Sequence, residues 1–233
     1  MAEFLIALGC FLAAHLVPAA PLLRTWLIRR LGRPLYLGAY SLLSLVLLGW
    51  VIFAARRAET ILLWEPASWQ WLVPFIVMPF AAMLLAGGLL EPNPLSISLR
   101  AGAEPGPITT VTRHPVLWAF LIWALAHIPP NGRLVAVILF GAMALFSIAG
   151  LLLVDLRTRR QLGDDRWRQL SAGTSVLPFA ALISGRARPV PWKRLALPGA
   201  VGLVAYVWFL LQGHALLIGP DPVAGLAVLL GLD

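Results

Sequence analysis

Residues 112–133 of the 233-residue chain read TRHPVLWAFLIWALAHIPPNGR. The apolar centre of this stretch has roughly the length of a membrane helix, yet it begins with Arg113-His114 and ends with His127, two prolines and an Asn-Gly turn. Half of the chain's four histidines lie here. Because an imidazole is costly inside hydrocarbon, a histidine at membrane depth is a candidate functional residue. The stretch therefore predicts both a membrane helix and a site.

The composition extends this prediction to the whole chain. Apolar residues make up 60% and charged residues only 12%, whereas soluble domains carry about 25% charged residues. We expect an all-α, polytopic transmembrane bundle of about six helices. The net charge of +8 is better explained by basic residues on the cytoplasmic face than by a nucleic-acid partner. A single cysteine, Cys10, excludes a disulfide or thiolate cluster within the chain.

We interpret six apolar segments as spans, of which the fourth is short and either tilts little or does not cross fully. They cover residues 4–23, 35–55, 72–90, 115–128, 134–154 and 195–218. Pro18 predicts a kink in the first span, beside His15, and the missing basic n-region indicates that this span is retained rather than cleaved as a signal peptide. The apolar tail 223–232 is too short to span and is expected at the interface. We assign residues 1–194 to five spans plus a basic cytoplasmic segment, and residues 195–233 to the sixth span and tail of the same domain.

The basic residues predict the orientation of these spans. With the N-terminus outside, 15 of the 18 basic residues lie on the cytoplasmic side, which places both termini in the periplasm. Those 15 are Arg24, Arg29, Arg30, Arg33, Arg100, Arg113, Arg157, Arg159, Arg160, Arg166, Arg168, Arg186, Arg188, Lys193 and Arg194. The other three, Arg56, Arg57 and Arg133, lie outside.

The four histidines admit three interpretations. Two imidazoles at one depth on facing helices can hold a haem iron through both axial positions, and a single one can move protons. Alternatively, each bonds a carbonyl freed by a neighbouring proline or rests at the interface. The sequence favours a functional role for His15 and His127 and an interfacial role for His214, and it leaves His114, at a helix start, open between the two.

Other reaction classes lack residues in recognisable patterns. No carboxylate accompanies the histidines in sequence, so a zinc hydrolase or a di-iron site lacks ligands. Neither a Gly-rich phosphate loop, a nucleophile elbow nor a Ser-His-Asp pattern is recognisable. Asp155 is expected to pair with Arg157 at the membrane interface.

Arg24 leads into the basic turn between the first two spans. A guanidinium there can bind lipid phosphates or the propionates of a haem, because its fork matches a carboxylate. Both interpretations stay open.

Several short motifs occur together along the chain. They are His15, LLR at 22–24, LGRPLY at 31–36, YSLLS at 40–44, TRHP at 112–115, WALAH at 123–127, NGR at 131–133, LFG at 139–141 and HALLIG at 214–219. In this combination the chain resembles the NnrU family of bacterial inner-membrane proteins, over nearly its whole length.

The resemblance implies a multi-pass protein of the bacterial inner membrane that is associated with nitrite and nitric oxide respiration in denitrifying bacteria. The family is similar to 15-cis-zeta-carotene isomerase, a membrane haem b enzyme whose iron redox state gates a cis-to-trans isomerisation. By that similarity, His15 and His127 are the axial ligands of a haem b. The isomerase has a cysteine three residues before the second histidine, where this chain has Ala124, so a ligand switch through that thiol is not expected.

Helix geometry offers a competing pair of ligands. At ~1.5 Å per residue from Glu3, His15 lies about 18 Å below the outer surface, whereas His127 ends its span near that surface. His214 matches His127 better in depth. We keep His15 with His127 as the pair that the resemblance implies and His127 with His214 as the alternative.

Together these observations lead to two function hypotheses. The first is a haem-binding inner-membrane protein linked to nitrogen-oxide respiration or to a haem-dependent isomerisation. The second is a non-catalytic maturation factor or permease-like protein for the denitrification reductases. The expected partners are membrane lipids and either a hydrophobic small molecule or a respiratory reductase; whether the protein is an enzyme stays open.

Overall fold

A computed structural model describes residues 1–16 and 21–231, and every regular element within these ranges is a helix. The helices are α1 (Ala2–Leu16), α2 (Pro21–Leu31), α3 (Arg33–Arg57), α4 (Ser68–Leu90), α5 (Pro115–His127), α6 (Leu134–Leu162), α7 (Asp164–Ser171), α8 (Ala180–Ile183), α9 (Trp192–Trp208), α10 (His214–Leu217) and α11 (Pro222–Leu230). A 3₁₀ turn covers Pro107–Thr110, and a π-helical segment, Phe209–Gly213, joins α9 to α10.

Four helical stretches are long and apolar enough to cross a membrane. They are α3, α4, α6 and the continuous stretch Trp192–Leu217, while α1 and α5 are shorter apolar helices. The predicted all-α membrane fold is therefore confirmed. The number of passes and the orientation stay predictions, and Pro18 lies outside the described residues.

Helix α6 is longer than expected. The predicted span ends at residue 154, but the helix continues through Asp155 to Leu162. Arg159 and Arg160 lie in its last turn, where cations interact favourably with the helix dipole. A charged residue next to an apolar run marks the edge of the hydrocarbon but does not end the helix.

The chain forms two compact units, of which the first contains residues 1–64 and 132–139. In it, α1 and α2 pack on α3, and Phe4 and Ala7 of α1 are fully buried. The loop after α3 is held by residues before α6, since the Leu63 amide donates to the Gly132 carbonyl at 2.7 Å. Gly132 lies against the Trp64 backbone, where a side chain has no room.

The second unit contains residues 65–131 and 140–233 and is built around α5. Leu117, Leu121 and Ala124 of α5 form a buried cluster with Ala144 and Leu151 of α6. Helix α4 packs on both α5 and α9. Glycines permit these close approaches: a Cβ on Gly88 would lie 2.7 Å from Val116, one on Gly150 would lie 2.9 Å from Leu117, and one on Gly202 would lie 2.5 Å from the carbonyl oxygen of Ala82.

Candidate functional site

The four histidines all lie at helix ends. His15 is in the last turn of α1, His114 directly precedes α5, His127 is the last residue of α5, and His214 begins α10. His15 belongs to the first unit and the other three belong to the second. In His15 and His127 the imidazole Nδ1 lies beside the carbonyl four residues earlier in the same helix.

His15 is held by polar contacts on both ring nitrogens. Its Nδ1 lies 2.7 Å from the Phe11 carbonyl oxygen, and its Nε2 lies 2.9 Å from the hydroxyl of Ser44 on α3. The rings of Phe11 and Tyr40 flank it at 4.2 and 5.9 Å. His15 is therefore held in a defined orientation between α1 and α3 by hydrogen bonds and ring contacts.

His127 is oriented by the turn of helix that precedes it. Its Nδ1 lies 2.7 Å from the Trp123 carbonyl oxygen, and its ring packs between those of Trp123 and Phe140 at 5.7 and 5.1 Å. Its own carbonyl accepts a hydrogen bond from the side-chain amide of Asn131 at 2.8 Å. Within the described ranges, its Nε2 has no hydrogen-bond partner.

His214 follows the π-helical segment, an irregularity that is frequent at functional sites. Its Nδ1 lies 2.8 Å from the Pro220 carbonyl oxygen, and its ring meets that of Phe209 at 5.7 Å. His127 and His214, the pair that the depth argument favours, both belong to the second unit.

Three of the histidines share one tautomer. A carbonyl oxygen only accepts hydrogen bonds, so the Nδ1 of His15, His127 and His214 carries the proton in the neutral ring. The lone pair is therefore on Nε2 in each case. Metal-ligating histidines commonly have this arrangement, with the other ring nitrogen donating to a carbonyl that fixes the ring.

An apolar groove of about 360 Å³ lies between α4, α5 and α9. Its walls include Met78, Leu85, Phe120, Trp123, Tyr206 and Phe209. Trp123 and Phe209 are the same rings that contact His127 and His214. The groove therefore adjoins His127 and His214 through aromatic side chains.

His114 lies in a different environment, at the beginning of α5. Pro115 starts the helix and keeps the residue before it out of the helical conformation, and the His114 side chain is completely buried. Its Nδ1 lies 2.8 Å from the Ser96 hydroxyl, and its Nε2 lies 3.1 Å from Oδ1 of Asp155. Nε2 and Oδ1 are in contact at this distance but do not form a hydrogen bond, and neither atom has another hydrogen-bond partner within the described residues.

Arg113 completes this cluster. Its guanidinium forms a short ion pair with Asp155, donates from Nε to Thr174 Oγ1 at 2.9 Å and lies 5.0 Å from the centre of the Trp167 ring. The expectation that Asp155 pairs with Arg157 is wrong: Asp155 pairs with Arg113 and His114. The arginine beside it in sequence is not the partner because α6 turns Asp155 toward the start of α5.

Arg24 lies in α2, partly buried. Among the residues that the structure describes, it has neither an ion pair nor a hydrogen bond through its side chain. Neither predicted role, with lipid phosphate or with haem propionate, is tested by this position.

The described residues contain no group of three or more His, Cys, Asp and Glu side chains placed to hold a metal ion by themselves.

Sequence reasoning missed the Asp155 partnership and the role of Ser96. Ser96, His114 and Asp155 are far apart in the chain and match no linear motif. The sequence offered one indication: Asp155 is a carboxylate at the end of an apolar run, and in a membrane protein such a group usually pairs with a cationic side chain.

Apolar helices that pack through glycines around a histidine-flanked groove define a helical membrane protein. The profile of the family described as "NnrU protein" matches residues 3–222, and the chain belongs to that family. Among curated proteins, 15-cis-zeta-carotene isomerase of Arabidopsis thaliana is 33% identical over 79 residues. That match covers 34% of this chain and 21% of the isomerase, so the similarity spans about a fifth of the relative. No solved structure matches the chain.

Proposed function

We propose that this NnrU-family protein binds a haem b, with Nε2 of His127 as one axial ligand, and acts on an apolar molecule drawn from the membrane. The observation that carries the proposal is the His127 imidazole. Its Nδ1 is committed to the Trp123 carbonyl, and its Nε2 lone pair has no partner within the described residues. This is the donor arrangement that a haem iron requires.

The second axial ligand is His15, as the similarity to the isomerase implies. Its Nδ1 is fixed by the Phe11 carbonyl, and the Ser44 hydroxyl donates to its Nε2, so an iron bound at Nε2 would replace the Ser44 hydrogen bond. His214 is the competing ligand, because its Nδ1 is fixed in the same way and it lies in the same unit as His127. A bound haem supplies redox chemistry at the iron; the protein supplies orientation and an apolar surround.

The groove beside Trp123 and Phe209 is the site for the apolar molecule. Its lining is almost entirely aliphatic and aromatic, which suits an elongated hydrocarbon with few polar groups. The name of the Arabidopsis relative states that it isomerises a carotene, and by analogy we assign this chain a haem-dependent rearrangement of an apolar substrate. The association with nitrogen-oxide respiration comes from the family alone.

An absorption spectrum of the purified protein tests the proposal. Two imidazoles give a six-coordinate, low-spin haem with a Soret band and sharp bands on reduction. His15→Ala is expected to leave five-coordinate iron with a shifted Soret band, while His214→Ala keeps the low-spin spectrum. If His214→Ala removes the low-spin spectrum and His15→Ala leaves it intact, the ligands are His127 and His214.

Arg24 is assigned to a propionate, with Arg24→Lys intermediate in haem content between wild type and Arg24→Ala because lysine keeps the charge but not the fork. A wild-type protein that carries no haem and takes none up on reconstitution would contradict the proposal. The preferred hypothesis would then be a maturation factor for the denitrification reductases.

A further inference from the structure

The polar cluster at the beginning of α5 is separate from the histidines at its end. Helix α5 has 13 residues, so at ~1.5 Å per residue its two ends lie roughly 20 Å apart. The proposed haem and groove do not use Ser96, His114 or Asp155. These three side chains form a continuous chain of contacts, with 2.8 Å between the hydroxyl and Nδ1 and 3.1 Å between Nε2 and the carboxylate.

The carboxylate favours one tautomer of His114. Nε2 and Oδ1 of Asp155 are in contact at 3.1 Å without hydrogen-bond alignment. An ionised Asp155 can only accept a hydrogen bond, so this contact favours the neutral His114 ring with its proton on Nε2 and its lone pair on Nδ1. The Ser96 hydroxyl then donates to Nδ1. This is the reverse of the tautomer of His15, His127 and His214, and it makes His114 a base directed at a serine hydroxyl instead of an iron ligand.

Arg113 holds the carboxylate in the charged form that this tautomer needs. It pairs with the second oxygen of Asp155 and is itself fixed by Thr174. The Arg113 amide donates to the Ser175 carbonyl at 2.7 Å, and its carbonyl accepts from Asn93 at 2.9 Å. The ion pair between Arg113 and Asp155 is enough to hold α5 and α6 together. The fully buried imidazole of His114 adds a contact that this role does not require, to the Ser96 hydroxyl in the connection between α4 and α5.

Ser96 lies where an amphipathic substrate can reach it. The residue is partly exposed, and it precedes Ile97 and Leu99, whose side chains are 42% and 81% exposed. Apolar side chains on a polar connection beside a membrane helix favour insertion into the lipid surface. Within the described chain the backbone amides of Ile97 and Ser98, the two residues after Ser96, donate to no acceptor, which makes them candidate donors to a developing oxyanion.

We propose that Ser96, His114 and Asp155 form an acyl-transfer site with Ser96 as its nucleophile and an ester of an apolar acid at the membrane surface as its substrate. Ser96 Oγ forms a bond to the ester carbonyl carbon while its proton moves to Nδ1 of His114. The carbon–oxygen bond to the alcohol then breaks, and the alcohol leaves with the proton from Nδ1. Water, deprotonated by Nδ1, releases the acid and regenerates the serine. Asp155 is a positioning residue that acts through the imidazole.

A covalent probe tests this assignment directly. The full chain in detergent is treated with an alkyl fluorophosphonate, and the adduct is located by peptide mass spectrometry. The expected result is one adduct, on Ser96, with none on Ser98 in the same peptide, because the Ser98 hydroxyl donates to the Glu91 carbonyl at 2.6 Å and has no imidazole beside it. Ser96→Ala loses the adduct. Ser147→Ala keeps it, since that hydroxyl bonds only the Met143 carbonyl within its own helix.

The role of Asp155 needs a measurement that a purely structural residue would not alter. In protein with 15N-labelled histidine, His114 is expected to show a protonated Nε2, and Asp155→Asn is expected to mix the two tautomers. Asp155→Asn also slows adduct formation by a factor on the order of 10³–10⁴, the scale found when an orienting carboxylate is lost. Size-exclusion profiles of each variant identify any that fail to fold.

Two results would overturn the proposal. One is a wild-type protein whose Ser96 takes no probe under conditions that label a control serine hydrolase. The other is an adduct on Ser96 that forms equally fast in a folded His114→Ala protein. Since neither measurement uses haem absorption, this proposal and the haem proposal stand or fall independently.

Discussion

The imidazole of His114 and the carboxylate of Asp155 lie 3.1 Å apart and join the beginning of α5 to α6. Both groups also contact residues of the surrounding connections, through Ser96 and Arg113. The beginning of α5 is therefore held in place by buried charged and polar side chains, whereas its end, at His127, is held by aromatic packing.

Asp155→Asn is expected to destabilise the protein by about 3 kcal/mol, because it leaves the guanidinium of Arg113 buried without its counter-charge. The Arg113 side chain is only 8% exposed. The thermal unfolding midpoint in detergent measures the effect. Asp165→Asn is the control, because the Asp165 side chain is 97% exposed and its ion pair is screened by water. Equal shifts for the two variants would contradict the account.

The sequence was sufficient for the fold class but not for this network. Apolar runs of membrane-helix length predict α3 and α4 closely, because the bilayer requires every backbone group to be paired within a helix. The end of α6 is not predicted, because a carboxylate such as Asp155 after an apolar run looks like the end of the helix. Its pairing with Arg113 depends on tertiary contact, which no local pattern encodes.

For the histidines, the sequence identified the residues but not their partners. His15 and His127 stand out as imidazoles in apolar runs. The tautomers that separate them from His114 depend on whether a carbonyl or a carboxylate faces each ring, and only the folded chain determines that.

Gly202→Ala is expected to cost about 1–3 kcal/mol, because a Cβ there would lie 2.5 Å from the Ala82 carbonyl oxygen, and the backbones of α9 and α4 must separate. Gly199→Ala, in the same helix, is the matched control: its nearest contact would be Met83 Sδ at 3.9 Å. It is expected to be neutral or slightly stabilising. Unfolding midpoints of the two variants check this, and a Gly199→Ala loss as large as that of Gly202→Ala would argue against the close helix contact.

Glu91, directly after α4, gives a pH dependence. Burial raises the pKa of its carboxyl, and the hydrogen bond from the Ile108 amide opposes this. A raised pKa means that the folded state binds the proton more tightly than the unfolded state, so this group's contribution to stability grows as the pH falls through the folded pKa toward the ordinary value.

Glu91→Gln keeps an acceptor for Ile108 and removes the buried charge. Relative to wild type, it is expected to be most favourable near neutral pH and to lose that advantage in acid. Unfolding midpoints between pH 4 and 8 measure the difference. If the stability advantage of Glu91→Gln over wild type grows as the pH falls, the pKa of Glu91 is not raised in the folded protein.

The basic asymmetry predicts that both termini face the periplasm of a bacterial host. Alkaline phosphatase fused after Asp233 should be active, because it folds only in the oxidising compartment. A cytoplasmic reporter at the same position should be silent. An inactive phosphatase together with an active cytoplasmic reporter would contradict the arrangement of six spans with both termini outside.

The most direct test of the account is the haem content and Soret spectrum of His127→Ala beside those of wild type. The Nε2 of His127 is the proposed ligand atom, so the variant is expected to lose haem or to show a shifted, five-coordinate spectrum. His114→Ala, whose imidazole is committed to Ser96 and Asp155, should keep the low-spin spectrum in the fraction that folds. A His127→Ala protein with the haem content and low-spin spectrum of wild type would contradict the central claim.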